Sequence, residues 1–357
     1  MQKTFIDVTA ALVVTLLVIT AANIAQSIIE PVVFAIFIIA LIWPLQKALQ
    51  SRMPKAVALL VNVLLTLGII IALSSVIAWG GREVADWIRG NLSDVQDRFI
   101  SSTKWLEEHD IFVLALVTEH FNTAWLVNFF QVVIVRVNLL VAFAVLVFIY
   151  VIMGLAETKG FQEKIASLEN EDTSRRLLQA ARQIGQKFRK YMVVRTVASI
   201  ATGFAVWGFA HVVGLELAAA LGVLSFALNY LPYVGALAAI VFPTLFAFVQ
   251  FDSGEIVIFV LIGLMVIRFV IGSLIEPIFS GSALAISPPV VVFAIVLWTF
   301  LWGIPGTFIG VPLAIAFLTL CEQFPSSRWI TTMLSGDSPS QRRAFKNEGS
   351  ELGPEGG

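Results

Sequence analysis

Residues 217–250 read LAAALGVLSFALNYLPYVGALAAIVFPTLFAFVQ, an apolar stretch that is interrupted near its middle. Proline has no backbone N–H and disfavours helix in the residue before it, while glycine relaxes the backbone. Pro232 and Gly235 therefore predict a break between two short helices. The whole stretch exceeds the roughly 20 residues that cross a bilayer, and each half falls short of that length. The residues that shape this break are Asn229, Pro232, Tyr233 and Gly235.

A second apolar stretch with an interruption near its middle lies at residues 288–321, which read PPVVVFAIVLWTFLWGIPGTFIGVPLAIAFLTLC. This second break contains Gly303, Pro305 and Gly306, and Pro312 follows it. Each broken region is either one kinked crossing or a re-entrant hairpin whose two ends emerge on the same side; the short halves favour the hairpin slightly. Broken helices are tolerated at membrane depth only inside protein or along a cavity, so paired breaks predict a substrate pathway.

Composition places the whole chain in a membrane. The 357 residues are 58% hydrophobic and 13% charged, whereas soluble domains carry about 25% charged residues. Mean hydropathy is +0.90. We expect an all-α polytopic membrane protein with about eight membrane segments, the two broken regions included. The six unbroken segments are predicted at 8–26, 28–46, 55–79, 129–154, 192–213 and 256–275, with Glu30 and Pro31 at the turn between the first two.

Basic residues set the expected orientation, because they accumulate in cytoplasmic loops. Lys47, Arg52 and Lys55 follow the second segment, which places both chain termini in the cytoplasm of a bacterial inner membrane. We divide the chain into N-terminal membrane helices (1–79), an extracytoplasmic helical segment (80–128), a transport core (129–325) and a disordered cytoplasmic tail (326–357). A basic amphipathic segment at 157–190 interrupts the core; it either lies on anionic lipid, packs on a neighbouring subunit, or is a solvated connector.

The polar residues of the apolar core lie between the two broken regions. Arg268 falls inside a predicted span, and Glu276 and Pro277 end that span. An ionisable group in hydrocarbon needs a partner or water. Eight residues turn a helix by about 80° net and advance it by about 12 Å, so we expect Arg268 and Glu276 to line one cavity without pairing. Arg195, near another span end, is expected to snorkel to the surface.

Several functions are disfavoured by what the sequence lacks. The formal net charge is −1, which does not suit a nucleic-acid partner. One cysteine and three widely separated histidines predict no metal site, and no GxxxxGK[ST] motif is present for ATP hydrolysis. No catalytic constellation stands out, so we expect neither an enzyme nor a cofactor.

The ordered Gly/Pro breaks resemble those of the autoinducer-2 exporter family of bacterial membrane proteins. The similar stretches are LPYVGALAA at 231–239 and IEPIFSGSALAISPPVVVFAIVLWTFLWGIPGTFIGVPLA at 275–314. The resemblance implies a transporter that assembles as a homo-oligomer, with five subunits in a ring. It departs at Ile278 and Ser282, where the family usually carries basic residues.

Three functions therefore remain in order of preference. The first is a transporter or exporter of a small polar solute, driven by an ion gradient or by the solute's own gradient. The second is a sodium/proton antiporter, which needs carboxylates at membrane depth; Glu276, Glu216 and Glu30 are the candidates and lie near predicted span ends. The third is a membrane scaffold that transports nothing.

Overall fold

The computed structural model describes residues 23–91, 123–276 and 286–336, with the single residues 17, 20, 21, 93 and 278; side chains of 123–142 and of 159 are outside this description. The described chain is helical, as predicted. Its helices are α1 (Gln26–Gln50), α2 (Lys55–Gly90), α3 (Thr123–Ala166), α4 (Glu171–Val213), α5 (Ala218–Leu228), α6 (Val234–Gln250), α7 (Gly254–Val270), α8 (Pro288–Gln323) and α9 (Arg328–Leu334). A π-helical turn, Ile271–Ile275, continues α7.

By length and composition alone, five of the described helices could cross a membrane, and a bent pair within 143–166 supplies a sixth if it counts as one span. One of the five is α8, which is interrupted at Gly303. Helix α2 illustrates their surfaces: Leu60, Leu64 and Ile71 are each more than half exposed. Contiguous exposed leucine and isoleucine would destabilise a protein in water, whereas lipid accepts them. The prediction of a polytopic helical membrane protein is confirmed.

The predicted turn at Glu30 and Pro31 is wrong. Both residues lie inside α1, which begins at Gln26, and Glu30 is only 6% exposed. Pro31 lies early in the helix, where its missing N–H removes a single intrahelical hydrogen bond, and membrane helices accommodate such losses through neighbouring groups. The preceding predicted segment, 8–26, lies mostly outside the described residues.

Two predicted surface helices are continuous with membrane helices. Helix α2 runs from Lys55 to Gly90, so the first part of the expected extracytoplasmic helix is its extension. Helix α4 joins the amphipathic segment to the span at 192–213 without a break. In the predicted tail, residues 328–334 form α9, and residues 337–357 lie outside the description.

The chain forms two compact units, each assembled from separate parts of the sequence. Unit 1 contains 1–53, 150–194 and 277–357, and unit 2 contains 54–149 and 195–276. The core of unit 1 includes Phe37, Phe188 and Ile309. The core of unit 2 joins α4, α5, α6 and α7 through residues such as Val206, Leu221, Ala247 and Val260.

Helices α5 and α6 form a hairpin in unit 2, which we call the first hairpin. Gln250, at the end of α6, accepts a 3.0 Å hydrogen bond from the Glu216 backbone and donates a 2.8 Å bond to the Gly214 carbonyl. Both contacts lie just before α5, so the ends of the region meet at its base while residues 229–233 form its tip. The chain therefore folds back, as the hairpin alternative requires.

Helix α8 also folds back on itself, and we call it the second hairpin. Gly303 adopts φ 64° and ψ −138°, which separates an arm at 288–302 from an arm at 304–323. The hydroxyls of Thr299 and Thr307 are 2.7 Å apart, and Gly310 lies against the Ala294 carbonyl. In a straight helix the last two residues would be about 24 Å apart. The second hairpin belongs to unit 1.

Candidate functional site

The tip of the first hairpin is polar and sterically constrained. Asn229 is 1% exposed and Pro232 is fully buried, whereas the Tyr233 side chain is about half exposed. Tyr233 adopts φ 59° and ψ −58°, a conformation that costs a residue with a Cβ about 1–3 kcal/mol. Surrounding contacts must hold such a tip in place, and strained backbone of this kind is concentrated at binding sites.

Asn229 links the tip to two helices of unit 2. Its carbonyl Oδ1 accepts a 2.5 Å hydrogen bond from Arg268 Nη1 on α7. Its amide Nδ2 donates a 3.2 Å bond to Ser199 Oγ on α4. The next residue, Tyr230, donates to Thr196 Oγ1 on α4 at 3.1 Å. A buried amide whose donor and acceptor are both used fixes the orientation of its neighbours.

Glu276 completes this cluster through its Oε1 atom. Arg195 Nη1 lies 3.1 Å from that oxygen, and Arg268 Nη1 lies 3.8 Å from it. The three charged side chains are between 12% and 23% exposed, so they are shielded but accessible. We call Arg195, Ser199, Asn229, Arg268 and Glu276 the polar cluster; all five belong to unit 2.

The expectation that Arg268 and Glu276 cannot pair is wrong because of the π-helical turn between them. A π turn accommodates one residue more than an α turn, so residues eight apart are arranged as if seven apart. Seven residues of α-helix return to within about 20° of the starting face. The two side chains therefore lie on one face, and the long arginine side chain covers the remaining rise.

Arg195 was missed by the sequence interpretation, which assigned it to the membrane surface. The pattern on α4 could have indicated otherwise: Arg195, Thr196, Ser199 and Thr202 recur at helical spacing in an otherwise apolar segment. Ser199 and Thr202 are buried, so this face of α4 points into protein. An arginine on that face needs an acidic partner, and Glu276 supplies it.

The structure divides the predicted pathway residues between the two units. Asn229, Arg268 and Glu276 meet in the polar cluster of unit 2. The pathway residues placed in unit 1 belong to the second hairpin and are Gly303, Pro305, Gly306 and Pro312. Pro277 lies outside the described residues.

The second hairpin has a different character from the first. No charged residue occurs in 288–321. Between its arms, the hydroxyls of Thr299 and Thr307 form the 2.7 Å contact. From outside the hairpin, Asn23 Nδ2 donates to the Leu301 carbonyl and Lys187 Nζ donates to Thr319 Oγ1, each at 3.1 Å. Leu301, Trp302 and Ile309 pack in the core of unit 1. The second hairpin therefore contributes packing and hydroxyl groups, and the charge beside it comes from Lys187 on α4.

Comparison with known proteins gives the family. Residues 11–326 match the AI-2E family of transporters. The chain belongs to this family. Two relatives match over nearly the full length of both chains. A "Putative transport protein" of Haemophilus influenzae is 25% identical over 334 residues, 92% of this chain and 94% of that protein. The "AI-2 transport protein TqsA" of Escherichia coli K12 is 26% identical over 326 residues, 87% of this chain and 90% of its own length.

A third relative matches about half of each chain. It is a "Putative transport protein" of Borreliella burgdorferi, 28% identical over 193 residues, 54% of this chain and 53% of the relative. Family membership confirms the resemblance predicted from the Gly/Pro breaks. Together with the apolar helices it identifies a multi-pass membrane transporter of the AI-2E family, which agrees with a non-enzymatic role.

Proposed function

We propose that this AI-2E family member is a secondary transporter that exports a small polar solute along a path past the polar cluster. The observation that carries the proposal is the network joining Arg268, Asn229 and Glu276 at the tip of the first hairpin. Charged side chains among apolar helices are costly, so they are kept where a polar ligand or water meets them. The strained Tyr233 backbone supports the proposal, because strain of this kind is concentrated at binding sites and switch regions.

The driving force in this proposal is an ion gradient or the solute's own gradient, because the sequence has no GxxxxGK[ST] motif for ATP hydrolysis. The test is uptake into sealed proteoliposomes containing the purified full chain. A panel of neutral polyols, carboxylates and amines is offered with sodium and proton gradients imposed separately. Gradient-dependent accumulation of one solute class above that of protein-free vesicles is the expected result. Equal accumulation in both vesicle types across the panel would contradict the proposal.

A sodium/proton antiporter is the second candidate, and Glu30 favours it. This carboxyl group lies within α1 and is only 6% exposed. Glu276 suits cation binding poorly, because two guanidinium groups already lie beside its Oε1 atom. Sodium-dependent proton movement that Glu30→Gln abolishes and Glu276→Gln retains would support the antiporter over the solute transporter.

We also propose a cytoplasmic location for both termini in a bacterial inner membrane, and a homo-oligomer with five subunits. The basic residues around 47–55 and in 157–190 support this orientation. Single cysteines at positions 50, 175 and 345, introduced after Cys321 is replaced by serine, should resist a membrane-impermeant thiol reagent applied outside intact cells. A cysteine at position 100 should react. Labelling at 175 from outside would reverse the orientation.

A further inference from the structure

The polar cluster contains more positive than negative charge. Two guanidinium groups, those of Arg195 and Arg268, lie beside a single carboxylate oxygen of Glu276. Among the other described carboxylates of unit 2, Glu216 binds Trp87 Nε1 at the base of the first hairpin. The 17 residues of α6 separate that base from the tip by about 25 Å. Glu216 is therefore too far away to neutralise the tip.

Arg268 is the less completely neutralised of the two cations. Its short hydrogen bond is to the neutral amide oxygen of Asn229, while Glu276 Oε1 lies at 3.8 Å, beyond hydrogen-bond length. A guanidinium has five N–H donors in a planar fork that matches a carboxylate or phosphate group in two parallel hydrogen bonds. The Arg268 side chain is 22% exposed, so it is not sealed inside the protein.

Hydroxyl groups border the same cluster. Ser199 Oγ is bonded to the Asn229 amide, and Thr196 and Tyr230 are bonded to each other beside it. Hydroxyls both donate and accept, so they can exchange partners when a ligand enters. The cluster thus combines a cationic fork with neutral hydrogen-bonding groups, a combination that favours small oxyanions and disfavours cations.

We infer that Arg268 forms an oxyanion site and that the transported solute carries a carboxylate or phosphate group. This inference rests on the proposed function for the claim that the ligand is the transported solute. The ligand and Glu276 compete for one guanidinium, so Glu276 limits how tightly the anion is held. A limited affinity suits a transporter, which must release its solute as well as bind it.

A lipid headgroup offers the same phosphate chemistry, but the contacts favour a free solute. Asn229, the hydrogen-bond partner of Arg268, is 1% exposed, and Ser199 is fully buried. A small anion can reach a site with such neighbours more readily than a headgroup that remains attached to two acyl chains.

The experiment measures thermal stabilisation of the purified full chain in uncharged detergent. Inorganic phosphate and succinate are titrated at constant ionic strength, with sorbitol as the neutral control, and apparent affinities follow from the shift in the unfolding midpoint. We expect both anions to stabilise the wild type and sorbitol to have no effect. Arg268→Gln should weaken anion binding by about tenfold or more, the loss expected when a charge-assisted hydrogen bond is removed.

Two further variants keep the test decisive if Arg268→Gln folds poorly. Arg89→Gln removes the same charge from an exposed residue of unit 2 and should leave anion binding unchanged. Glu276→Gln removes the competing carboxylate and should tighten anion binding. If the cluster bound a cation instead, the same variant would weaken ligand binding.

Each of the following results in the stability assay would overturn the inference. They are stabilisation by neither anion, stabilisation that survives Arg268→Gln, or weaker anion binding in Glu276→Gln. Stabilisation by phosphatidylglycerol but by neither soluble anion would assign the cluster to a lipid headgroup and also overturn it. Proteoliposomes that move only neutral solutes would leave the proposed transport function intact and contradict the claim that the transported solute is an anion. Anion binding without any transport would support the oxyanion site and contradict the proposed transport function.

Discussion

The two hairpins share a close contact between a glycine and a carbonyl group, and they differ in the residues that form the tip. In each, a glycine just after the tip lies against a carbonyl at the end of the first arm: Gly235 against Leu228, and Gly306 against Trp298. A Cβ at either position would overlap that carbonyl oxygen. In the first hairpin, residues 229–233 form a polar turn, whereas the second hairpin reverses direction at Gly303. Similar Gly/Pro patterns therefore occur in a five-residue turn with polar side chains and in a turn that reverses at a single glycine.

Packing explains why the two tips diverge. In the second hairpin Gly310 lies against the Ala294 carbonyl, so the arms stay close well beyond the turn. In the first hairpin the arms meet again at the base through Gln250, and the buried Asn229 amide is directed to α4 and α7. A turn with polar side-chain partners can carry function, and a turn closed by backbone contact stabilises the fold.

The largest expected effect is loss of folding when the close glycine–carbonyl contact of either hairpin is removed. Gly306→Ala places a Cβ on the Trp298 carbonyl, so the arms must separate at a cost of about 3 kcal/mol. We expect poor yield and a strongly lowered unfolding midpoint in detergent, and the same for Gly235→Ala. Gly68→Ala is the matched control, because nothing lies within 4 Å of its Cβ position. Equal midpoints for all three variants would show that close approach does not hold the hairpins.

The next effect separates the hairpins by function. Arg268→Ala should reduce transport to the level of protein-free vesicles while expression and oligomer assembly stay intact. Arg89→Ala, which removes an exposed arginine of the same unit, should transport normally. A lowered unfolding midpoint in Arg268→Ala with reduced membrane insertion would instead make this arginine a structural tie between the first hairpin and α7. Retained transport with unchanged stability would show that Arg268 is neither required for transport nor a structural tie.

Backbone strain gives smaller effects of opposite sign at the two tips. Tyr233→Gly should raise the free energy of unfolding by about 1 kcal/mol, because glycine adopts positive φ without penalty. Gly303→Ala should lower it by about 1–2 kcal/mol for the converse reason, since its φ is 64°. Chemical denaturation in mixed micelles measures both changes. Shifts of the same sign would mean that side-chain packing, not φ, controls these turns.

The smallest effect concerns the base of the first hairpin. Trp87 Nε1 donates a 2.6 Å hydrogen bond to Glu216 Oε2, and the indole ring lies 4.1 Å from that of Phe246. Trp87→Phe keeps the ring contact and removes the bond, so stability should fall by about 1 kcal/mol. Trp79→Phe, at an exposed position on the same helix, serves as control. A drop of equal size in the control would assign the loss to ring size.

Sequence patterns located the breaks but not the way the chain folds around them. Pro232, Gly235 and Gly303 mark their positions because backbone constraints are local properties of the residue. The reversal of each hairpin depends on contacts between residues distant in sequence, such as Gln250 with Gly214 and Gly310 with Ala294. Hydropathy contains no information on such contacts. Region 288–321 is apolar throughout, so a kinked crossing and a hairpin have the same composition.

The polar cluster was predicted only in part for a similar reason. Arg268, Glu276 and Asn229 stand out as polar residues in or beside apolar segments. Their contact depends on the π turn at Ile271–Ile275, whose sequence, IGSLI, does not distinguish it from α-helix. Arg195 looked like a surface residue because its position in the chain is near a span end, whereas its face on α4 is directed toward Glu276.

The short arms of the first hairpin determine when this segment can enter the membrane during synthesis. At 11 residues, α5 is about 16 Å long, roughly half the thickness of the hydrocarbon layer. Inserted alone, it would expose the peptide groups of residues 229–233 to lipid, where each unsatisfied group costs several kcal/mol. Gly80 on α2 and Gly203 on α4 lie against α5, so earlier segments of the chain provide its cover. The segment therefore has to leave the insertion machinery as a closed pair, after α2 and α4 are in place.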